Sequence, residues 1–408
     1  VTAPELDELT ALRQHLHQHP EIAFGVETTA GFVADRMEAA GLDVTRGVGG
    51  TGVVVTLRRG TSNRSIGLRA DLDALPIDEA NTFDHRSQTP GVFHGCGHDG
   101  HTTMLLGAAL QLASATGPDG PEIDGPEIDG PEIDGPEIDG TVHFVFQPDE
   151  ENGRGAQAMI DDGLLDRFPM DAVYGMHNLP GLPVGSFATR RGPFTAYEER
   201  FEIEIHGRGG HASAPERTID PLVAGAQVVV GLQSIVSRSL APQDHGVVSV
   251  TEFVTDGAPN IIPTTVTIRG DVRGYEERVS ETIRSRMGEV VEGTAAAHGA
   301  TATLRYDRAF EPTVNSASEV DVVAGAVAEV AGASIDTDHA PMGFSEDFAQ
   351  FLQHRPGCFV LIGNGTDGSH GATLHNPHYD FNAAALRVGV AYWTALVGAV
   401  LGSAPSGP

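Results

Sequence analysis

The 408-residue sequence has no lysine: its 25 basic residues are all arginine and stand against 56 acidic ones, for a formal net charge of −31. Such a polyanion has little with which to neutralise nucleic-acid phosphates or anionic lipid headgroups, so neither is expected as a partner. The same balance fits a high-GC or salt-adapted source and says more about solvent than about substrate. Cysteine is almost missing as well. Cys96 and Cys358 are too few and too far apart for a disulfide framework, which points to a reducing, cytoplasmic compartment. No N-terminal stretch joins a basic start to an apolar core, so a secretory signal is not expected. The apolar run Ala383 to Leu401 carries Arg387 and many small residues, and reads as a buried or amphipathic helix rather than a membrane span.

What is present is concentrated in His94-Gly95-Cys96-Gly97-His98-Asp99-Gly100-His101, where one of the two cysteines sits among three histidines and an aspartate. Thiolate and imidazole suit zinc and other first-row ions, and the flanking glycines let the backbone aim Cys96 and His98 at one centre. Polar groups recur where strands should end. The run Ile66 to Ala70 leads into Asp71-Leu72-Asp73, Thr141 to Phe146 leads into Gln147-Pro148-Asp149-Glu150-Glu151, and Ala172 to Met176 ends in His177. Open α/β sheets keep their sites at the carboxyl ends of strands. His375 follows a turn-rich loop near the C-terminus. Cys96, His98, Glu151, His177 and His375 are five donors of a kind that would hold two metal ions, with Glu150 beside them.

Helical spacing at Glu5 to His19 and Thr28 to Ala40 alternates with β-branched runs such as Gly52 to Leu57, and a further helix is expected over Thr102 to Ala115. From about Tyr197 the texture changes. Strand, helix, two strands, helix and strand follow in order to Tyr306, the β-α-β-β-α-β pattern of a ferredoxin-like fold. The expected architecture is therefore a mixed-sheet α/β catalytic domain, residues 1–190 and 308–408, with an inserted ferredoxin-like α+β domain at 191–307. Residues 117–140 hold four copies of Pro-Glu-Ile-Asp-Gly after a partial one, with eight acidic groups in the four copies. One isoleucine per copy cannot build a core, so an exposed acidic insertion in a surface loop is expected.

Taken together, Leu16-His17-Gln18-His19-Pro20-Glu21, Arg69 to Pro76, His94 to His101, Gln147 to Glu151, Tyr174 to His177, Gly207 to Ser213, Gly257-Ala258-Pro259-Asn260 and Leu374 to Pro377 span nearly the whole chain in order. In these segments the sequence resembles the M20 metallopeptidase and amidohydrolase family, above all its subgroup of N-acyl-amino-acid and auxin-conjugate amidohydrolases, which includes hippurate hydrolase. The resemblance implies two divalent ions (zinc, manganese, cobalt or nickel) held by the five donors, Glu150 as general base, and a homodimer in which His211 of the inserted domain serves the partner's active site. It also implies a position behind a histidine ligand for Asp73 and a substrate contact for Asn260; Arg273 is a candidate for the substrate carboxylate. One departure stands out: where many family members have the histidine of a His-x-Asp motif, this sequence has Asp71. This favours the amidohydrolases over the aminopeptidases, with a metallocarboxypeptidase or dipeptidase using the same site as the alternative; a non-catalytic binding protein is the remaining one.

Overall fold

The computed structural model describes residues 5–115 and 136–402. The chain divides into two compact units, one of Val1–Gly192, Val314–Ala340 and Asp347–Pro408, the other of Pro193–Thr313 and Pro341–Glu346.

The larger unit is built on an eight-stranded mixed sheet. Its strands run in the order Asp43–Val48, Gly52–Arg59, Gly140–Gln147, Ser65–Asp71, Ala172–Pro180, Gly357–Gly365, Ser186–Ala188, Ser334–Asp336. The four in the middle, from Gly140–Gln147 to Gly357–Gly365, are mutually parallel. Three of these four are buried at every position, as parallel strands covered on both faces should be. Their near-continuous apolar text made them readable, whereas the half-exposed edge strand Asp43–Val48, Asp-Val-Thr-Arg-Gly-Val, carries no comparable signal. The helix Ala383–Leu401 buries Leu386, Tyr392, Trp393, Leu396 and Val397 in the core of this unit. Its first turn is capped by Asn382, whose side chain accepts from Ala384 N at 3.0 Å.

The helix expected from Thr102 begins four residues earlier, at His98, and runs to Ser114. Its first turn consists of His98, Asp99, Gly100 and His101, polar residues that hide it from any apolar periodicity. Most of the acidic repeat falls on residues 116–135 and lies outside the described residues. The last copy does not stay clear of the core: Ile138 is buried, and Asp139 N donates to Leu401 O at 2.8 Å.

In the smaller unit four antiparallel strands run in the order Gly246–Thr255, Thr265–Gly274, Tyr197–His206, Thr301–Phe310, with the helices Pro221–Ser239 and Glu277–Ala297 packed on their apolar face. This is the ferredoxin-like strand order. Its limits differ from 191–307 for two reasons. The last strand continues to Phe310, and the loop Pro341–Glu346 joins through Met342, whose N–H donates to Phe194 O at 2.7 Å and whose carbonyl accepts from Ala196 N at 3.1 Å.

One arginine ties the C-terminal helix down. Arg64 donates to Val400 O at 2.8 Å, Leu401 O at 3.3 Å and Gly402 O at 3.2 Å, carbonyls that a helix C-terminus leaves unpaired and that carry its partial negative charge. Arg64→Ala is expected to destabilise the larger unit by about 1–2 kcal/mol, as charge-assisted bonds at a partly exposed site should, read as a lowered Tm; an unchanged Tm would mean that the contacts contribute nothing.

Candidate metal centre

The parallel register aligns the carboxyl ends of the central strands. Asp71 lies opposite Gln147, and His177 opposite Leu361. Beyond Gln147 the chain turns sharply through Asp149, which holds a left-handed φ of 49° and brings Glu150 and Glu151 back over the strand ends. Asp73 fixes that turn: its Oδ1 accepts from Glu150 N at 3.0 Å and its Oδ2 from Glu151 N at 3.2 Å. The carbonyl of Asp73 meanwhile accepts from His98 Nδ1 at 2.8 Å. Asp73 thus meets His98 through its carbonyl, while its carboxylate accepts from the two glutamate amides and lies 3.6 Å from His98 Nδ1.

Cys96, His98, Glu151, His177 and His375 converge. Cys96, His98 and His177 form one group with ligand atoms within 4.8 Å of one another, Cys96, Glu151 and His375 a second, and His98, Glu150 and Glu151 a third. Cys96 Sγ lies 3.4 Å from His177 Nε2, His98 Nε2 3.8 Å from Glu151 Oε1, and Glu151 Oε2 3.6 Å from His375 Nε2. Donors about 2.0–2.3 Å from a shared tetrahedral ion lie roughly 3.3–3.8 Å apart, so these spacings fit a first-row metal. His98 Nε2 and Glu151 Oε1 are buried without a hydrogen-bond partner, which an ion would supply. His177 Nδ1 donates to Asn178 O at 2.7 Å, which sets the tautomer that turns the Nε2 lone pair toward Cys96. His375 adopts a left-handed φ of 65°, and its N–H donates to Gly95 O at 2.8 Å, so the two segments bearing Cys96 and His375 are joined by a main-chain bond.

The electrostatics are those of a site wanting positive charge. Burial lowers the His98 pKa, but Asp71, Asp73 and Glu151 outweigh it and push the imidazole up to about 10. Burial, with Asp73 and Asp71 adding to it against the pull of His98, raises Glu151 to about 7. Burial and then the neighbouring Glu151 and Glu150 hold the Cys96 thiol well above its ordinary range. All three shifts favour the protonated form, the direction that neighbouring carboxylates impose on each and burial on Cys96 and Glu151.

Sequence reading missed the layer behind these groups. Arg69 donates to Asp71 Oδ2 at 2.7 Å, Gln147 Oε1 at 2.8 Å and Asp347 Oδ1 at 2.8 Å, and Asp347 N donates to Glu150 Oε1 at 3.4 Å. His101 Nδ1 donates to Asp71 Oδ1 at 2.7 Å. Burial raises the Asp71 carboxyl, but His98, His101 and Arg69 together hold it well below the usual carboxylate range. An arginine inside the otherwise apolar run Ile66 to Ala70 was the available signal, since a charge in a buried strand must have a partner.

His211 and Asn260 belong to the smaller unit, where they are neighbours. His211 pairs with Ile261 in a two-residue ladder, and Ala212 N donates to Asn260 O at 3.0 Å. His211 is exposed, and its Nδ1 accepts from Ser213 Oγ at 2.8 Å. Arg273 is engaged within the same unit by Glu198 at 2.7 Å, Asp271 at 2.8 Å and Ser345.

The model of peptidase family M20/M25/M40 matches residues 67–121 and 132–399. The chain belongs to this family. It is 35% identical over 390 residues to the hippurate hydrolase of Campylobacter jejuni, covering 95% of each chain, and 38% identical over 363 residues to an N-acyl-L-amino acid amidohydrolase of Geobacillus stearothermophilus, covering 86% of this chain and 92% of that one. Among solved structures it is similar to a dinuclear metal binding peptidase of the M20 family from Bacillus subtilis, with a TM-score of 0.80, 30% identity and coverage of 97% and 98%. As an M20 chain it is a metal-dependent hydrolase of amide bonds.

Gly97 is the backbone point on which the centre turns. It has φ 96°, and a Cβ there would lie 2.3 Å from Asn178 Oδ1 and 2.5 Å from Tyr379 Oη. Gly97→Ala is expected to cost about 1–3 kcal/mol through left-handed strain and overpacking and to weaken metal binding, as measured by Tm of the metal-free protein and by metal content after dialysis; full metal content at wild-type Tm would count against this placement.

Proposed function

We propose that this M20 hydrolase releases amino acids from N-acyl amino acids, with two divalent ions held by Cys96, His98, Glu151, His177 and His375 and with Glu150 as general base. The observation that carries the reading is the meeting of two ligand groups at Cys96, with the Glu150 carboxylate in a third group alongside. The similarity to a hippurate hydrolase and an N-acyl-L-amino acid amidohydrolase supports an acyl group on the substrate nitrogen. When bound, the ions supply Lewis acidity and a raised acidity of water near them. The donor set, with one thiolate, imidazoles and a carboxylate, suits zinc, manganese, cobalt or nickel.

The chain's own residues do the rest. Glu150 takes a proton from the attacking water and returns it to the leaving amine, so the carboxylate is regenerated each turnover. Asp347 N and Asp73 orient it, the first through Oε1 and the second through the main chain of Glu150. His211 is the donor to the developing oxyanion: with its Nδ1 accepting from Ser213, the ring proton sits on Nε2. Asn260, beside it, contacts the substrate.

His211 serves the partner subunit of a homodimer formed through the smaller unit. Leu222, Val223 and Val230 on the helix Pro221–Ser239 and Val247, Phe253 and Val254 on the strand Gly246–Thr255 are exposed. In the four-stranded sheet that strand pairs on one side only, with Thr265–Gly274, and an open apolar edge favours a second copy. Cys96 and Cys358 are both free and buried, which accords with a reducing, cytoplasmic setting.

Glu150→Gln is expected to keep close to two metals per chain while turnover of N-benzoylglycine, N-acetyl amino acids or indole-acetyl amino acids falls by about 10²–10⁴-fold. Hydrolysis of a dipeptide alone in that panel would move the assignment to a carboxypeptidase or dipeptidase, and the absence of bound metal would remove it. Phe253→Glu combined with Val230→Glu should give a monomer by sedimentation and, because His211 is then lost to the other subunit, reduced turnover. A dimer that persists in this variant would place the interface elsewhere.

A further inference from the structure

Behind the metal centre lies a second buried polar cluster that the reaction does not use. Arg13, on the helix Leu6–Gln18, is 2% exposed, and every arm of its guanidinium is engaged. Nε donates to Asp99 Oδ2 at 2.7 Å, one Nη lies 2.7 Å from Asp380 Oδ1 and 2.9 Å from His17 Nδ1, and the other lies 3.2 Å from His85 Nε2. His17 Nδ1 is in turn 2.8 Å from Asp99 Oδ2, and its Nε2 3.1 Å from Glu79 Oε1.

The two carboxylates that Arg13 bridges come from distant parts of the chain. Asp99 follows His98 in the segment that also presents Cys96; Asp380 lies five residues after His375, in the loop that presents it. A planar guanidinium can hold two carboxylates at a fixed separation, which an ammonium on a flexible stem cannot. Asp380 also lies 3.4 Å from His85 Nε2, but its closest bond is to Arg13.

We infer that Arg13 is a positioning residue for the metal centre, clamping the His375 loop to the Cys96–His98 segment so that Cys96, Glu151 and His375 meet around one ion. The inference rests on the proposed ligand set. Its consequence is asymmetric. Cys96, His98 and His177 take no ligand atom from the His375 loop, so the ion they hold should survive loss of the clamp, while the ion that needs His375 should not.

Metal retention against a graded chelator tests this in the intact protein, with circular dichroism and size exclusion to establish folding. Wild type should hold near two ions. Arg13→Met should fall to near one ion at a chelator concentration at least tenfold lower than wild type requires, Arg13→Lys should lie between, and Asp380→Asn, which removes the charge at the His375 end of the clamp, should reproduce the loss without removing the buried cation. His375→Ala should show the same one-ion plateau, and combining it with Arg13→Met should shift the profile no further, since both act on one ion. Arg64→Ala, a destabilised control, should keep both ions. If Arg13→Met and Asp380→Asn hold both ions as wild type does, or lose both in parallel as a general loss of stability would cause, the inference is overturned. Wild type binding fewer than two ions would instead refute the ligand set itself.

Discussion

The structure of the larger unit depends on one electrostatic constraint: five carboxylates, Asp71, Asp73, Glu150, Glu151 and Asp347, are buried or nearly so around the carboxyl ends of adjacent parallel strands. Buried like charges repel and are costly to desolvate, so each needs a donor or a cation. The protein meets the need in two layers. Arg69, Gln147, His101 and main-chain amides satisfy Asp71, Asp73 and Asp347. Glu151, facing His98 and His375, is left with an unpartnered oxygen; the surrounding carboxylates outweigh burial and push the His98 imidazole up to about 10, and burial raises Glu151 to about 7.

That division explains why the fold is so restrictive locally. The Asp73 carboxylate must face two successive amides, which requires the turn after Gln147 to pass through the left-handed region at Asp149. The Cys96 segment must bend at Gly97 because Asn178 and Tyr379 occupy the space a side chain would fill. Asn178 also donates its N–H to His101 Nε2 at 3.0 Å, so the strand that carries His177 is tied to the helix that carries His98. The sheet supplies the alignment, and these short-range bonds turn alignment into a site.

Much of this was legible in sequence where a single residue type carried the signal. The fully buried strands read as apolar runs, and the polar residues at their ends stood out because the runs stopped there. The small unit was readable because Phe201, Ile203 and Ile205 alternate with charged residues on a half-exposed strand. Three features were not. The first turn of the helix at His98 has no apolar face, so its start was placed four residues late. The edge strand Asp43–Val48 depends on pairing with Gly52–Arg59 rather than on its own composition. Arg13 and Asp380 are unremarkable in sequence, and their meeting with Asp99 is a consequence of tertiary packing across more than 360 residues of chain.

The substitution of Asp71 for a histidine, which set this sequence apart from many members of its family, has a physical reading in the same bonds. A carboxylate there could in principle reach an ion with His98 and His101, since the three offer atoms within 4.8 Å of one another. Its oxygens are each held by a donor, Oδ1 by the His101 Nδ1–H and Oδ2 by Arg69, both at 2.7 Å. Asp73 is equally committed, to the amides of Glu150 and Glu151. Both acids of the Asp-Leu-Asp turn therefore act as acceptors that fix the groups around them. Cys96 belongs to both the Cys96–His98–His177 and the Cys96–Glu151–His375 groups, and Glu151 to the second of these and to the group with His98 and Glu150, so these two donors link the ligand groups at the strand ends.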